Sequence, residues 1–206
     1  MTGFGRAFPA FALRVEPLRV SPLRASIGAA MGKRSTFERA PRDFYPTPAE
    51  AVAPLLPHLA PSTRFIEPCA GDGRLVDHLT AAGHRCVFAG DIEPQRKDIE
   101  CGNALSLVTG WRIAADAIVT NPPWGRADLH PLIGHLSAVL PTWLLFDADW
   151  MHTKQSAPFI PYLHKIVSVG RVKWIPDSKM TGKDNCAWYL FDQTSEAPAQ
   201  FIGRAA

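Results

Sequence analysis

Two short segments carry residue types at spacings that can do chemistry. The first is Glu67-Pro68-Cys69-Ala70-Gly71-Asp72-Gly73-Arg74, directly after the apolar pair Phe65-Ile66. A strand that runs through a Gly-x-Gly turn into a helix brings bare backbone close to a ligand and offers it unpaired N–H groups. The third glycine of a dinucleotide fingerprint is missing, because position 76 is Val; this argues against a nicotinamide or flavin. Eighteen residues beyond Gly73 stands Asp91, within Asp91-Ile92-Glu93-Pro94. A carboxylate at the end of the next strand can accept hydrogen bonds from two ribose hydroxyls. Singly, these are a tight turn and a surface acid; as a spaced pair they point to a nucleoside.

The second segment is Asn121-Pro122-Pro123-Trp124, after Ile118-Val119-Thr120. The residue before a proline is pushed into an extended conformation, which fixes how Asn121 is presented. Its side-chain carbonyl and the Pro122 backbone carbonyl are two acceptors that can converge on one –NH2 group. Such a group on a ring or an amide is a poor nucleophile. Two acceptors stabilise the positive charge that grows as it attacks carbon. Trp124 adds a flat face for stacking, worth roughly 1–3 kcal/mol per base in comparable settings. A bare diproline turn would be structural; Asn before it and an aromatic after it, behind a strand, favour a site. The seven histidines show no metal-ligand spacing, and Cys69 reads as a small packing residue rather than a nucleophile.

The elements that must position these segments alternate. Residues 47–59 read as a helix with Thr47 as cap, Pro48 in the first turn and Glu50 three residues after the cap. Residues 65–66, 86–90, 99–101, 117–120 and 142–146 read as strands; residues 74–82 and 129–140 read as helices. Residues 166–175 and 187–191 are β-rich and separated by a polar loop, which predicts a closing hairpin. This order predicts an α/β fold: a Rossmann-like, doubly wound, mainly parallel sheet with a C-terminal antiparallel hairpin.

Composition narrows the function classes. No apolar run is long enough to cross a bilayer as a helix. The four cysteines are scattered, without a C-x-x-C pair, which fits a reducing, cytoplasmic compartment better than a disulfide scaffold. Residues 1–42 carry eight Lys or Arg against two Glu, a net +6, whereas the whole chain is only +3. The basic excess therefore lies in the leader. Pro9, Pro17 and Pro22 deny it a long helix, and Met31 opens a stretch that resembles a natural N-terminus. The expectation is a disordered basic leader over 1–42 and a single domain over 43–206.

With both segments in place, the chain resembles the class I S-adenosylmethionine-dependent methyltransferases of the amino-methyltransferase group, whose best-known members methylate adenine N6 in DNA. The resemblance covers about residues 43–192. It implies S-adenosyl-L-methionine as cofactor. Phe44-Tyr45-Pro46-Thr47-Pro48 resembles the upstream element that contacts the methionine end, which brings in Tyr45 and Thr47. Glu67, Cys69, Ala70, Gly71 and Gly73 fall on the first cofactor motif, and Asp91 with Ile92 on the ribose and adenine side. Asn103 stands where the family usually has an Asp that reads the cofactor adenine. Asn121, Pro122, Pro123 and Trp124 match the catalytic tetrapeptide.

The resemblance also implies a nucleic-acid partner, DNA before RNA, with no metal and no membrane. Lys154, Lys173, Lys179 and Lys183 are available for phosphates. Two other readings stay open: transfer to a protein glutamine amide or small amine, which makes the same demand on the tetrapeptide, and a non-catalytic nucleotide- or nucleic-acid-binding module.

Overall fold

The computed structural model describes residues 44–175 and 182–204. The basic leader, and the part of the 176–185 loop that holds Lys179, lie outside the described residues. Eight strands arise in chain order: β1 (Arg64–Glu67), β2 (Arg85–Asp91), β3 (Glu100–Cys101), β4 (Ala117–Thr120), β5 (Thr142–Asp147), β6 (Leu163–Arg171), β7 (Asn185–Phe191) and β8 (Gln200–Ile202). They form one sheet in the order β3-β2-β1-β4-β5-β7-β6-β8. Every neighbouring pair is parallel except those of β7, which runs antiparallel to both β5 and β6. The predicted Rossmann-like sheet with its C-terminal antiparallel hairpin is therefore the observed one.

The central strands read as apolar runs because both of their faces are covered. Adjacent residues of a strand point to opposite faces. Phe65 of β1 and Val119 of β4 meet α1 (Ala49–Val52) and α2 (Arg74–Ala81) through Val52, Leu75 and Leu79. Ile66 and Ile118 face the other way, onto Leu129, Ile133 and Leu136 of α3 (Arg126–Val139). A stack of Phe146, Tyr189 and Phe191, with Phe146 and Tyr189 centroids 4.1 Å apart, fills the space beneath the antiparallel strands.

Several elements differ from the sequence reading. Residues 47–59 are not one helix: α1 has four residues, and a separate 3-10 turn spans Leu56–His58. Pro54 and Pro57 lack the N–H groups a continuous helix needs. Thr47 makes no cap, and Glu50 instead accepts a hydrogen bond from the Lys173 backbone N–H at 2.7 Å. α3 starts at Arg126, three residues before the predicted start, and carries Pro131 inside it. β6 begins at Leu163 and ends at Arg171, so Trp174 lies beyond the strand. β8 has no counterpart in the sequence reading: it is short and mostly exposed, and it pairs parallel to β6.

Register decides where the site forms. Ile66 of β1 is level with Ile118 of β4, and Thr120 of β4 with Leu144 of β5. The segments that leave β1, β4 and β5 therefore emerge side by side at the carboxyl edge of the sheet, where ligands of open α/β folds bind. Among the described residues no helix is long and apolar enough to cross a membrane.

Candidate functional site

The glycine turn is built as expected and braced in a way the sequence does not announce. Gly71 and Gly73 have φ of +52° and +81°, a region L-residues with a Cβ enter at a cost of about 1–2 kcal/mol. A Cβ on Gly71 would stand 2.5 Å from the Phe44 ring, so that ring lies directly over the turn. A Cβ on Gly73 would collide with the Arg96 guanidinium. Arg96 is itself held by Asp77 at 2.8 Å and Asp98 at 2.7 Å, tying α2 to the segment after β2. Asp91 accepts from the Gly71 N–H at 2.8 Å through one carboxylate oxygen and from the Glu93 N–H at 2.7 Å through the other. Each oxygen keeps a second lone pair for a hydroxyl. Asp91 thus braces the turn in addition to facing the expected ribose side.

Glu67 is 1% exposed, and its Oε2 has no hydrogen-bond partner among the described residues. Burial, then the nearby negative charges of Asp91 and Asp72, raise its pKa well above the ordinary glutamate value. A desolvated carboxyl group with one unpaired oxygen at the end of β1 is suited to a cationic ligand group. The methionine end of S-adenosylmethionine carries an ammonium, which the free Glu67 Oε2 suits, while the Phe44 ring and the Arg96 guanidinium cover the turn beside it. The residues present fit that cofactor. Burial also lifts the Cys69 thiol to about 12, so it stays protonated at neutral pH and is no nucleophile. Towards the expected adenine end, Ile92 is 61% exposed. Asn103 caps a short turn, its side-chain oxygen accepting from the Leu105 N–H at 2.9 Å, which leaves its amide N–H groups to read a base edge.

Asn121 leaves the end of β4 with its carboxamide engaged on both sides. Its Nδ2 donates to the Tyr45 carbonyl at 3.3 Å and to Thr47 Oγ1 at 3.1 Å; its Oδ1 accepts from the Trp124 indole at 3.2 Å. The indole N–H is shared with the Leu145 carbonyl at 3.1 Å. Pro122 is buried, and its carbonyl accepts no backbone or side-chain hydrogen bond among the described residues. Trp124 meets Trp174 edge-on at 5.7 Å, and Tyr45 lies 6.4 Å from Trp174.

Beyond Trp124, a small open cleft of about 50 Å³ is lined by Arg126, Phe146, Asp147 and Trp150. Burial raises the Asp147 pKa. Lys154 and Lys183 are exposed and Lys173 is half-buried.

The structure therefore brings the predicted residues of both segments to one edge, and residues 44–48 touch both: Phe44 overlies Gly71, while Tyr45 and Thr47 hold Asn121. Sequence reasoning missed Trp174, Asp147, Trp150 and Arg96. None belongs to a local motif; only the clustering of tryptophans after strand-like runs hinted at the first and third. Among the described residues no group of three or more His, Cys, Asp or Glu is placed to hold a metal ion.

No protein-family model matches the chain, and no curated protein does. Solved structures do match. One is a Pyrococcus horikoshii protein titled, provisionally, an RNA methyltransferase: 17% identity, TM-score 0.52, covering 72% of this chain and 86% of that one. Another is a Lactococcus lactis protein titled, provisionally, a hemolysin: 11% identity, TM-score 0.53, covering 76% and 91%. A Thermoplasma acidophilum protein aligns at 12% identity and TM-score 0.52 over 70% and 83%. At these identities the likeness shows the fold, which is the Rossmann-like sheet that the methyltransferase resemblance implied.

Proposed function

We propose that this chain is an S-adenosylmethionine-dependent N-methyltransferase acting on the N6 amino group of adenine in nucleic acid, DNA in the first place. The observation that carries the reading is the shared edge: a Gly-x-Gly turn with an orphaned buried carboxyl oxygen beside it, and an Asn-Pro-Pro-Trp segment with a free backbone acceptor, both touched by residues 44–48. The cofactor supplies, when bound, an electrophilic methyl group on a sulfonium centre. Tyr45, Glu67, Cys69, Ala70, Gly71, Gly73, Asp91, Ile92 and Asn103 form the cofactor side, and Thr47 binds Asn121 from the same segment as Tyr45. Asn121 Oδ1 and the Pro122 carbonyl accept the two N–H bonds of the substrate amino group, keep its lone pair directed at the methyl carbon and stabilise the ammonium character that develops. Pro122 and Pro123 hold that geometry rigid, and Trp124 stacks on the ring. Most of the acceleration comes from alignment and from these two acceptors.

Adenine is favoured over a glutamine amide by the half-buried Trp124 indole beside the cleft, which offers a planar ring more than a side-chain amide needs. RNA, the substrate class given for the similar Pyrococcus protein, is the second substrate to try. The test uses methyl-labelled S-adenosylmethionine with unmethylated DNA, RNA and a protein extract offered separately. Label in N6-methyladenine of DNA is the expected result. Label confined to glutamine in protein would replace this substrate, and no label in any acceptor together with no cofactor binding would remove the enzyme.

A further inference from the structure

The Asn121 carboxamide has three partners, and two of them allow only one polarity. The Tyr45 carbonyl can only accept and the Trp124 indole N–H can only donate. Nδ2 must therefore face residues 45–47 and Oδ1 must face the indole, which removes the usual ambiguity of an amide. Thr47 is 5% exposed, and its Oγ1, at 3.1 Å, accepts the second Nδ2 hydrogen. Its β-branched side chain has little χ1 freedom, so the acceptor is held in place. An Asp at this position would set a carboxylate oxygen against the Tyr45 carbonyl.

We propose that Thr47 and Trp124 are positioning residues that lock the Asn121 amide with its oxygen on the substrate side, and that this lock makes position 121 selective for an amide over a carboxylate. Thr47 then acts on the acceptor rather than on the cofactor, although its segment also lies on the glycine turn through Phe44. Trp124 has a second task beside stacking, one that phenylalanine could not perform. The kinetic part of the inference rests on the methyl-transfer reading; the orientation of the amide does not.

The experiment has two arms. In the first, the Asn121 side-chain NH2 resonances of the full chain are recorded by nitrogen–proton correlation without any substrate, assigned by their loss in N121A. Thr47→Val and Trp124→Phe should each shift these resonances and speed their hydrogen exchange, and Thr47→Ser should leave them near the wild type. Unchanged resonances in both T47V and W124F overturn the lock. In the second arm, T47V should lower kcat about tenfold with cofactor affinity within twofold, and T47S should restore the rate. Weakened cofactor binding with kcat intact would return Thr47 to the cofactor and overturn the proposal. Asn121→Asp should be nearly as inactive as Asn121→Ala; wild-type rates in N121D would remove the amide selectivity. If T47V does not fold, W124F and T47S decide the first arm. If the wild type methylates nothing, the function proposed above fails while the resonance arm still decides the lock.

Discussion

On the β1–β3 side of the cleft the surface offered to a ligand is backbone amide and carboxylate: Gly71, Gly73, Glu67 and Asp91. On the β4–β5 side it is indole and carboxamide: Trp124 and Asn121. The first half keeps an unmet need, since Glu67 Oε2 has no partner among the described residues, and its two glycines let the Phe44 ring and the Arg96 guanidinium close on the turn. The second is prepared by what is already satisfied, since every polar atom of the Asn121 side chain is engaged before any substrate arrives. On the proposed function, a charged, flexible cofactor would meet a group that gains a partner on binding, and a planar, neutral ring would meet groups held rigid in advance. The lesson is that the two sides should fail differently when altered.

The sharpest separation is expected from Asn121→Ala. Methyl transfer should fall by roughly 10²–10³-fold, the scale of removing one preorganised acceptor from a developing charge, while the cofactor dissociation constant by calorimetry stays within about threefold. Normal transfer by this variant would end the division of labour. Asp91→Ala should do the reverse. It takes a charged partner from the Gly71 and Glu93 N–H groups and from the ribose, so cofactor affinity should drop about ten- to a hundredfold. Unchanged affinity would leave Asp91 as a brace alone.

A smaller effect is expected at Gly71. Gly71→Ala forces a Cβ into positive φ and against the Phe44 ring, and should lower unfolding stability in a denaturant titration by about 1–3 kcal/mol. The subtlest case is Glu67→Gln. The folded state raises the Glu67 pKa, so it binds a proton more tightly than the unfolded chain. Stability from this group is present at low pH and is lost as pH climbs from the ordinary value near 4.5 towards the raised one. The ligand-free variant should therefore melt higher than wild type at pH 8 and no higher at pH 4, and should bind the cofactor more weakly. A Tm difference that does not depend on pH would show that Glu67 is not the desolvated acid of this cleft.

Both motifs were legible in the sequence because each is local. A Gly-x-Gly turn after Phe65-Ile66 and a diproline after Ile118-Val119-Thr120 carry their conformation with them. The mainly parallel sheet with its closing hairpin followed from the alternation of elements. What was not legible depends on distance along the chain. Thr47 and Asn121 are 74 residues apart, and nothing in either segment announces that one grips the other. The helix expected over 47–59 failed because Pro54 and Pro57 outweigh a good cap signal. β8 was invisible because three mostly exposed residues carry no alternation; its neighbourhood is fixed from afar, by the His164 ring nitrogens against the Asp192 and Ala197 carbonyls at 2.8 and 2.7 Å.

Residues 44–48 have no regular secondary structure and precede the first strand. A chain shortened to start at Ala49 would keep every residue assigned to a strand or helix, though it would lose the Pro48 carbonyl that accepts the first hydrogen bond of α1. It would also have lost the ring above one motif and both grips on the other. Five residues that belong to no strand or helix therefore hold both motifs, and a tally of regular elements would pass over them.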